Sequence, residues 1–124
     1  MAQGIGVAEL AYLGDAVFEL MVRDMLVNAG VPFKELNNIA KMYVSATAQG
    51  EMYHSIFDSL PDEEQAIMKR GRNLHGVSRS KSAKVSEYRH ATGLEVLFGH
   101  LHYTCNQDRL HEIFKMCTAE RAYK

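Results

Sequence analysis

Leu10-Ala11-Tyr12-Leu13-Gly14-Asp15-Ala16-Val17-Phe18-Glu19-Leu20 is an apolar, small-residue-rich stretch with an isolated carboxylate in its middle. Nearly eighty positions later it has a counterpart, Ala91-Thr92-Gly93-Leu94-Glu95-Val96-Leu97-Phe98-Gly99. The large apolar residues of the first stretch recur every three or four positions, the repeat of an α-helix with one buried face. The spacing predicts a helix from Val7 to Asn28, with Leu10, Leu13, Val17, Leu20 and Met21 as its core stripe and Gly30 close to its end.

Similar periodicity runs through most of the remaining chain, which has only two prolines, so the expected fold is all-α. Pro32 punctuates the first connection. A second helix is expected over Lys34 to Tyr43, burying Leu36, Ile39, Ala40 and Tyr43. A third, Ala46 to Asp58, buries Met52, Tyr53, Ile56 and Phe57. Pro61 followed by Asp62, Glu63 and Glu64 marks a helix start, because proline tolerates the first turn and acids complement the N-terminal dipole. That fourth helix fades near Gly71. Arg72 to Ser82, rich in Gly and Ser, reads as an exposed loop. A fifth helix, Lys84 to Tyr103, uses Val85, Leu94, Leu97, Phe98 and Leu101. After Asn106 and Gln107, a last helix, Asp108 to Thr118, buries Leu110, Ile113, Phe114 and Cys117.

At 124 residues the chain has the make-up of one domain, 1–124, with an ordinary core. No apolar run approaches the roughly 20 residues of a membrane span, and the first residues lack signal-peptide character, so no membrane partner and a cytoplasmic location are expected. Cys105 and Cys117 read as reduced thiols. His100, His102, Cys105 and His111 crowd together, but His100 and His102 point to different helix faces and no CxxC or HxxxH pair is present, which argues against zinc. The methionines read as core filler.

Net charge is -1, which hides a strong asymmetry. Residues 1–68 carry ten acids and three bases, whereas residues 69–89 carry seven bases and only one acid, Glu87. Such local concentration, interleaved with Gly and Ser, is how a near-neutral protein presents phosphate-binding groups. Arg70, Arg72, Arg79, Lys81, Lys84 and Arg89, with Asn73, Ser78 and Tyr88 as further donors, are the candidate contacts to a polyanion.

An acid on the tight side of a helix costs several kcal/mol to desolvate unless a cation or donor meets it. Asp15 has Gly14 and Ala16 beside it and Ala11 one turn before. Glu95 has Ala91 and Gly99 one turn to either side. Small residues let two helix backbones approach, so both acids are expected in one narrow cleft, where paired carboxylates attract Mg²⁺. The plainer reading is two helix acids bonded to neighbouring side chains.

Leu13-Gly14-Asp15-Ala16-Val17-Phe18-Glu19-Leu20 resembles the signature helix of the ribonuclease III family, and Gly93-Leu94-Glu95-Val96-Leu97-Phe98-Gly99 its second catalytic helix. Tyr43-Val44-Ser45-Ala46-Thr47-Ala48-Gln49, Lys69-Arg70-Gly71-Arg72-Asn73 and Tyr88-Arg89-His90-Ala91-Thr92-Gly93-Leu94-Glu95 are similar to blocks of its Mini-ribonuclease III subfamily, which lacks the double-stranded-RNA-binding domain. The resemblance implies a helical domain in a symmetric homodimer that cuts double-stranded RNA with Mg²⁺ (Mn²⁺ as a substitute) and leaves 5′-phosphates. Asp15 and Glu95 match the catalytic, metal-binding acids. Two further acids of full-length ribonuclease III are replaced by Ala11 and Thr92, as in the subfamily, and Thr92 is left an outer role through a metal-bound water. The implied substrate is the precursor of large-subunit ribosomal RNA, with a ribosomal protein as a possible presenter. A non-catalytic RNA-binding or ribosome-associated module on the same scaffold, and a helical interaction protein with two structural acids, are the alternatives.

Overall fold

The computed structural model describes residues 4–74, 83–119 and 121, and the described residues form helices without a strand. These are α1 (Val7–Asn28), α2 (Leu36–Val44), α3 (Ala46–Phe57), α4 (Asp62–Arg72), α5 (Ala83–Tyr103) and α6 (Gln107–Thr118), with a 3-10 turn at Phe33–Glu35 leading into α2. The all-α expectation and the approximate limits of the helices are borne out.

Local chemistry sets the boundaries. Past the end of α1, Gly30 takes φ +79°, and its N–H and that of Val31 bond back to the Val27 and Leu26 carbonyls. This left-handed turn satisfies orphan carbonyls at little cost only with glycine. Ser45 ends α2 in an extended conformation and caps α3, its Oγ accepting from the Ala48 N–H at 3.1 Å. Pro61 precedes α4, whose first turn holds Asp62, Glu63 and Glu64 and whose last holds Lys69, Arg70 and Arg72, matching the helix dipole at both ends.

Helix α5 is the centre of the fold, packing most extensively on α1, then on α3 and α4. It is buried around most of its circumference between Ala91 and Gly99, the pattern of a helix enclosed by others. Phe18 of α1, Phe98 of α5 and Phe114 of α6 meet edge to face, with centroids 5.1 to 6.4 Å apart. Arg109 of α6 forks onto the Glu64 carboxylate through Nε (2.9 Å) and Nη2 (2.7 Å), tying α6 to the start of α4.

The expected stripe on α1 needs correction. The buried face is Leu10, Ala11, Gly14, Phe18, Val22 and Leu26, whereas Leu13, Val17 and Met21 are half-buried and Leu20 is 64% exposed. Ala11 and Gly14 share that face with Leu10, Phe18, Val22 and Leu26, because at Gly14 the contact with α5 is made backbone to backbone. On α2 only Tyr43 is fully buried, while Leu36, Ile39 and Ala40 pack at the core margin. Phe57 and Val85 are likewise half-buried. Met52 and Met68 fill the core as expected, but Met42 is 52% exposed. Arg72 belongs to α4, and the expected loop beyond Leu74 lies outside the described residues.

Candidate active site

Asp15 sits on α1 and Glu95 on α5, and the close approach of these helices brings the two acids together. A Cβ at position 14 would overlap the Glu95 carbonyl oxygen, and one at position 99 would overlap the Leu10 carbonyl oxygen. Gly14 and Gly99 thus interlock, and the helices meet at van der Waals contact of their main chains. A carboxyl immediately after Gly14 and one four residues before Gly99 are carried to the same edge of this contact.

Their electrostatics records the proximity. Glu95 is half-buried, and its pKa is pushed up to about 8, by burial first and then by the neighbouring Asp15 carboxylate, which also accepts a hydrogen bond from the protonated acid. Asp15 is exposed at the mouth. Among the described residues no Lys or Arg forms an ion pair with either acid, Arg23 being engaged one turn away with Glu19. Two adjacent carboxyl groups without a basic partner are a donor set suited to a hard divalent cation. No third His, Cys, Asp or Glu joins them among the described residues, so water or substrate oxygens would complete the coordination.

Thr92, three residues before Glu95, is buried, and its Oγ1 donates to the Tyr88 carbonyl at 3.0 Å. Its proton is therefore committed and its lone pairs are what it can offer. Tyr12 and Tyr88 are 85% and 56% exposed. Tyr12, Leu13, Ala16 and Leu20 surround Asp15 in an open depression along α1.

Several of the basic residues lie where α4 ends and α5 begins. Arg70 and Asn73 are exposed and Arg72 is half-buried at the close of α4. Lys84 is exposed and Arg89 half-buried on the first turns of α5. Gly71 holds the two helices together: a Cβ there would stand 2.7 Å from the Gly93 Cα. Arg89 Nη2 is buried with no hydrogen-bond partner among the described residues. Ser78, Arg79 and Lys81 lie outside the described residues.

A group that the sequence reading missed lies beside Arg72. His54 of α3 and His90 of α5 have ring centroids 4.3 Å apart, and the His90 ring meets that of Tyr53 at 4.7 Å and 73°. Burial chiefly lowers the His90 pKa, and His54, Arg72 and Arg89 lower it further against an opposing hydrogen bond to Ser86. Nothing in the spacing of His54 and His90, thirty-six positions apart, announces the pair; only the Ser86-to-His90 interval of one helical turn was visible. Among the other histidines, His100 is half-buried and His102 exposed, and His111 Nδ1 pairs with the Gln107 carbonyl at 2.8 Å. Cys105 is a free, exposed thiol. Cys117 is free and buried, its pKa pushed up to about 12 by burial. Among the described residues no helix is long and apolar enough to cross a membrane.

The family model "Ribonuclease III domain" matches residues 8–106. The chain is 41% identical to the Mini-ribonuclease 3 of Enterococcus faecalis over 111 residues, 87% of this chain and 84% of that one. It is 40% identical to the Mini-ribonuclease 3 of Brevibacillus brevis over 111 residues, 89% and 83% of the two chains. A crystal structure of a Fusobacterium nucleatum protein superposes with a TM-score of 0.81 at 29% identity, covering 97% of both chains.

Proposed function

Because the chain belongs to the ribonuclease III domain family, we propose that this endoribonuclease cuts double-stranded stretches of structured precursor RNA with Asp15 and Glu95 as its catalytic pair. The observation that carries the reading is the convergence of those carboxyls across the Gly14–Gly99 helix contact. Residues 1–124 act as one catalytic domain.

Asp15 and Glu95 would hold Mg²⁺, with Mn²⁺ able to replace it, and Thr92 would accept a hydrogen bond from a water on the ion. When bound, such an ion activates water and offsets the charge that develops on phosphorus. The protein's part is positional. Glu95 would hold the ion as the carboxylate, its proton passing to solvent, and Asp15, exposed at the open edge, would hold it from the solvent side. Arg70, Arg72, Asn73, Lys84, Tyr88 and Arg89, together with Ser78, Arg79 and Lys81, grip the backbone of the duplex. A-form RNA offers phosphates and 2′-hydroxyls more readily than base edges.

Cutting both strands needs two such sites. The exposed Tyr12, Ala16 and Leu20, one turn apart beside Asp15, form an apolar ridge suited to two-fold pairing with a second copy, which sets two active sites along one valley. On the resemblance of the chain's sequence blocks to the Mini-ribonuclease III subfamily, its substrate is the precursor of large-subunit ribosomal RNA, met in the cytoplasm.

The test is cleavage of a long RNA duplex in Mg²⁺ by the wild type, Asp15→Asn and Glu95→Gln. Loss of cutting in both variants with retained RNA binding supports the reading. Equal cutting by all three sinks it, and binding without cutting by the wild type makes the chain an RNA-binding module. Sedimentation as a monomer at micromolar concentration would remove the dimer.

A further inference from the structure

His90 carries a hydrogen-bonding function that its position in the helix makes specific. Its Nδ1 lies 2.7 Å from the Ser86 carbonyl oxygen, one turn earlier on α5. A carbonyl can only accept, so Nδ1 is the protonated nitrogen of the neutral ring. Nε2 is then left with its lone pair as an acceptor. No hydrogen bond engages Nε2 among the described residues. The ring is held in place as well as polarised, wedged edge-on to Tyr53 and tilted against His54.

The surroundings select what this acceptor meets. Arg72 and Arg89 flank the ring, and these cations, added to burial, keep it neutral and its lone pair available. Both arginines belong to the surface assigned above to the duplex backbone. Phosphates drawn to them cannot satisfy Nε2, because a phosphodiester oxygen only accepts hydrogen bonds. The donor that stands beside each phosphate of an RNA strand, and is absent from DNA, is the ribose 2′-hydroxyl, displayed in the wide minor groove of an A-form duplex.

We propose that His90 reads the sugar of the substrate: its Nε2 accepts the hydrogen bond of a ribose 2′-hydroxyl while Arg72 and Arg89 hold neighbouring phosphates. The inference rests on the duplex-RNA reading and deepens it, assigning to one side chain a share of the choice of RNA over DNA. Ser86 is the positioning partner, and it acts through its main-chain carbonyl.

The experiment measures binding by the full chain, in EDTA so that the duplex stays intact, to an RNA duplex and to its 2′-fluoro counterpart. The fluoro duplex keeps the A-form shape but has no 2′-hydroxyl donor. The wild type should prefer the hydroxyl duplex. His90→Phe, which retains a ring against Tyr53 and His54, should weaken binding to the hydroxyl duplex by about 3- to 10-fold and leave the fluoro duplex nearly unchanged. His90→Gln, whose side-chain carbonyl also accepts, should keep most of the preference. Should His90→Phe fail to fold, nitrogen NMR of histidine-labelled wild type gives the same answer, because the Nε2 resonance should shift with the hydroxyl duplex and not with the fluoro duplex. An unaltered preference in His90→Phe, equal losses on both duplexes, or an Nε2 resonance indifferent to the 2′ group overturns the assignment. Absence of any duplex binding by the wild type overturns the duplex-RNA reading as well, and so is distinguishable from failure of the His90 role alone.

Discussion

Asp15 on α1 and Glu95 on α5 form a carboxyl pair in which the half-buried member, Glu95, retains its proton at neutral pH. The folded-state pKa of Glu95, about 8, lies above the ordinary value of 4.5. Between those values the native protein binds a proton that the unfolded chain has lost, so stability falls as pH rises through the window.

Glu95→Gln should therefore be more stable than the wild type at about pH 9, by something on the order of 3 kcal/mol without divalent metal, and indistinguishable from it near about pH 4. Denaturant melts at the two pH values check this, and a gap that does not depend on pH would contradict it. Millimolar Mg²⁺ should narrow the gap at high pH by stabilising the wild type alone.

Gly14→Ala should cost far more than Gly30→Ala. The first adds a methyl group into the Glu95 main chain, and the loss should exceed about 3 kcal/mol or prevent folding, since the obstacle is backbone. The second meets open space and suffers only its left-handed φ, about 1 to 2 kcal/mol. Thermal melts of both variants rank the two, and the reverse order would refute the contact.

The Arg109–Glu64 fork is only partly exposed, its side chains being 25% and 12% accessible. Arg109→Ala should destabilise by about 2 kcal/mol, with a coupling of similar sign in a double-mutant cycle with Glu64→Gln. Strictly additive losses would show the fork to be energetically idle.

Arg72→Ala should weaken RNA binding and lower the slope of log affinity against log salt by about one, the signature of one phosphate contact released. An unchanged slope would remove Arg72 from the backbone contacts.

Helix limits were legible because breakers and caps are local. Gly30, Pro61 and Asn106 act within a few residues of where they stand. The pairing of Asp15 with Glu95 was legible for a related reason, since glycine and alanine around an acid advertise a close neighbour. The face of α1 was not. Periodicity weighs side chains by their apolar bulk, whereas Gly14 is buried through the absence of one, and this pushes Leu20 outward. Pairings such as His54 with His90 and Arg109 with Glu64 depend on how α3, α4 and α6 dock on α5, which no local interval encodes.

The Gly14–Gly99 interlock also limits how damage there can be repaired. A side chain that collides with another side chain can be accommodated by trimming the neighbour. Here the atoms in the way are the carbonyls of Glu95 and Leu10, which every amino acid carries. A genetic screen for second-site suppressors of a substitution at either glycine should accordingly return reversion rather than compensation, because the opposing surface has nothing left to give up.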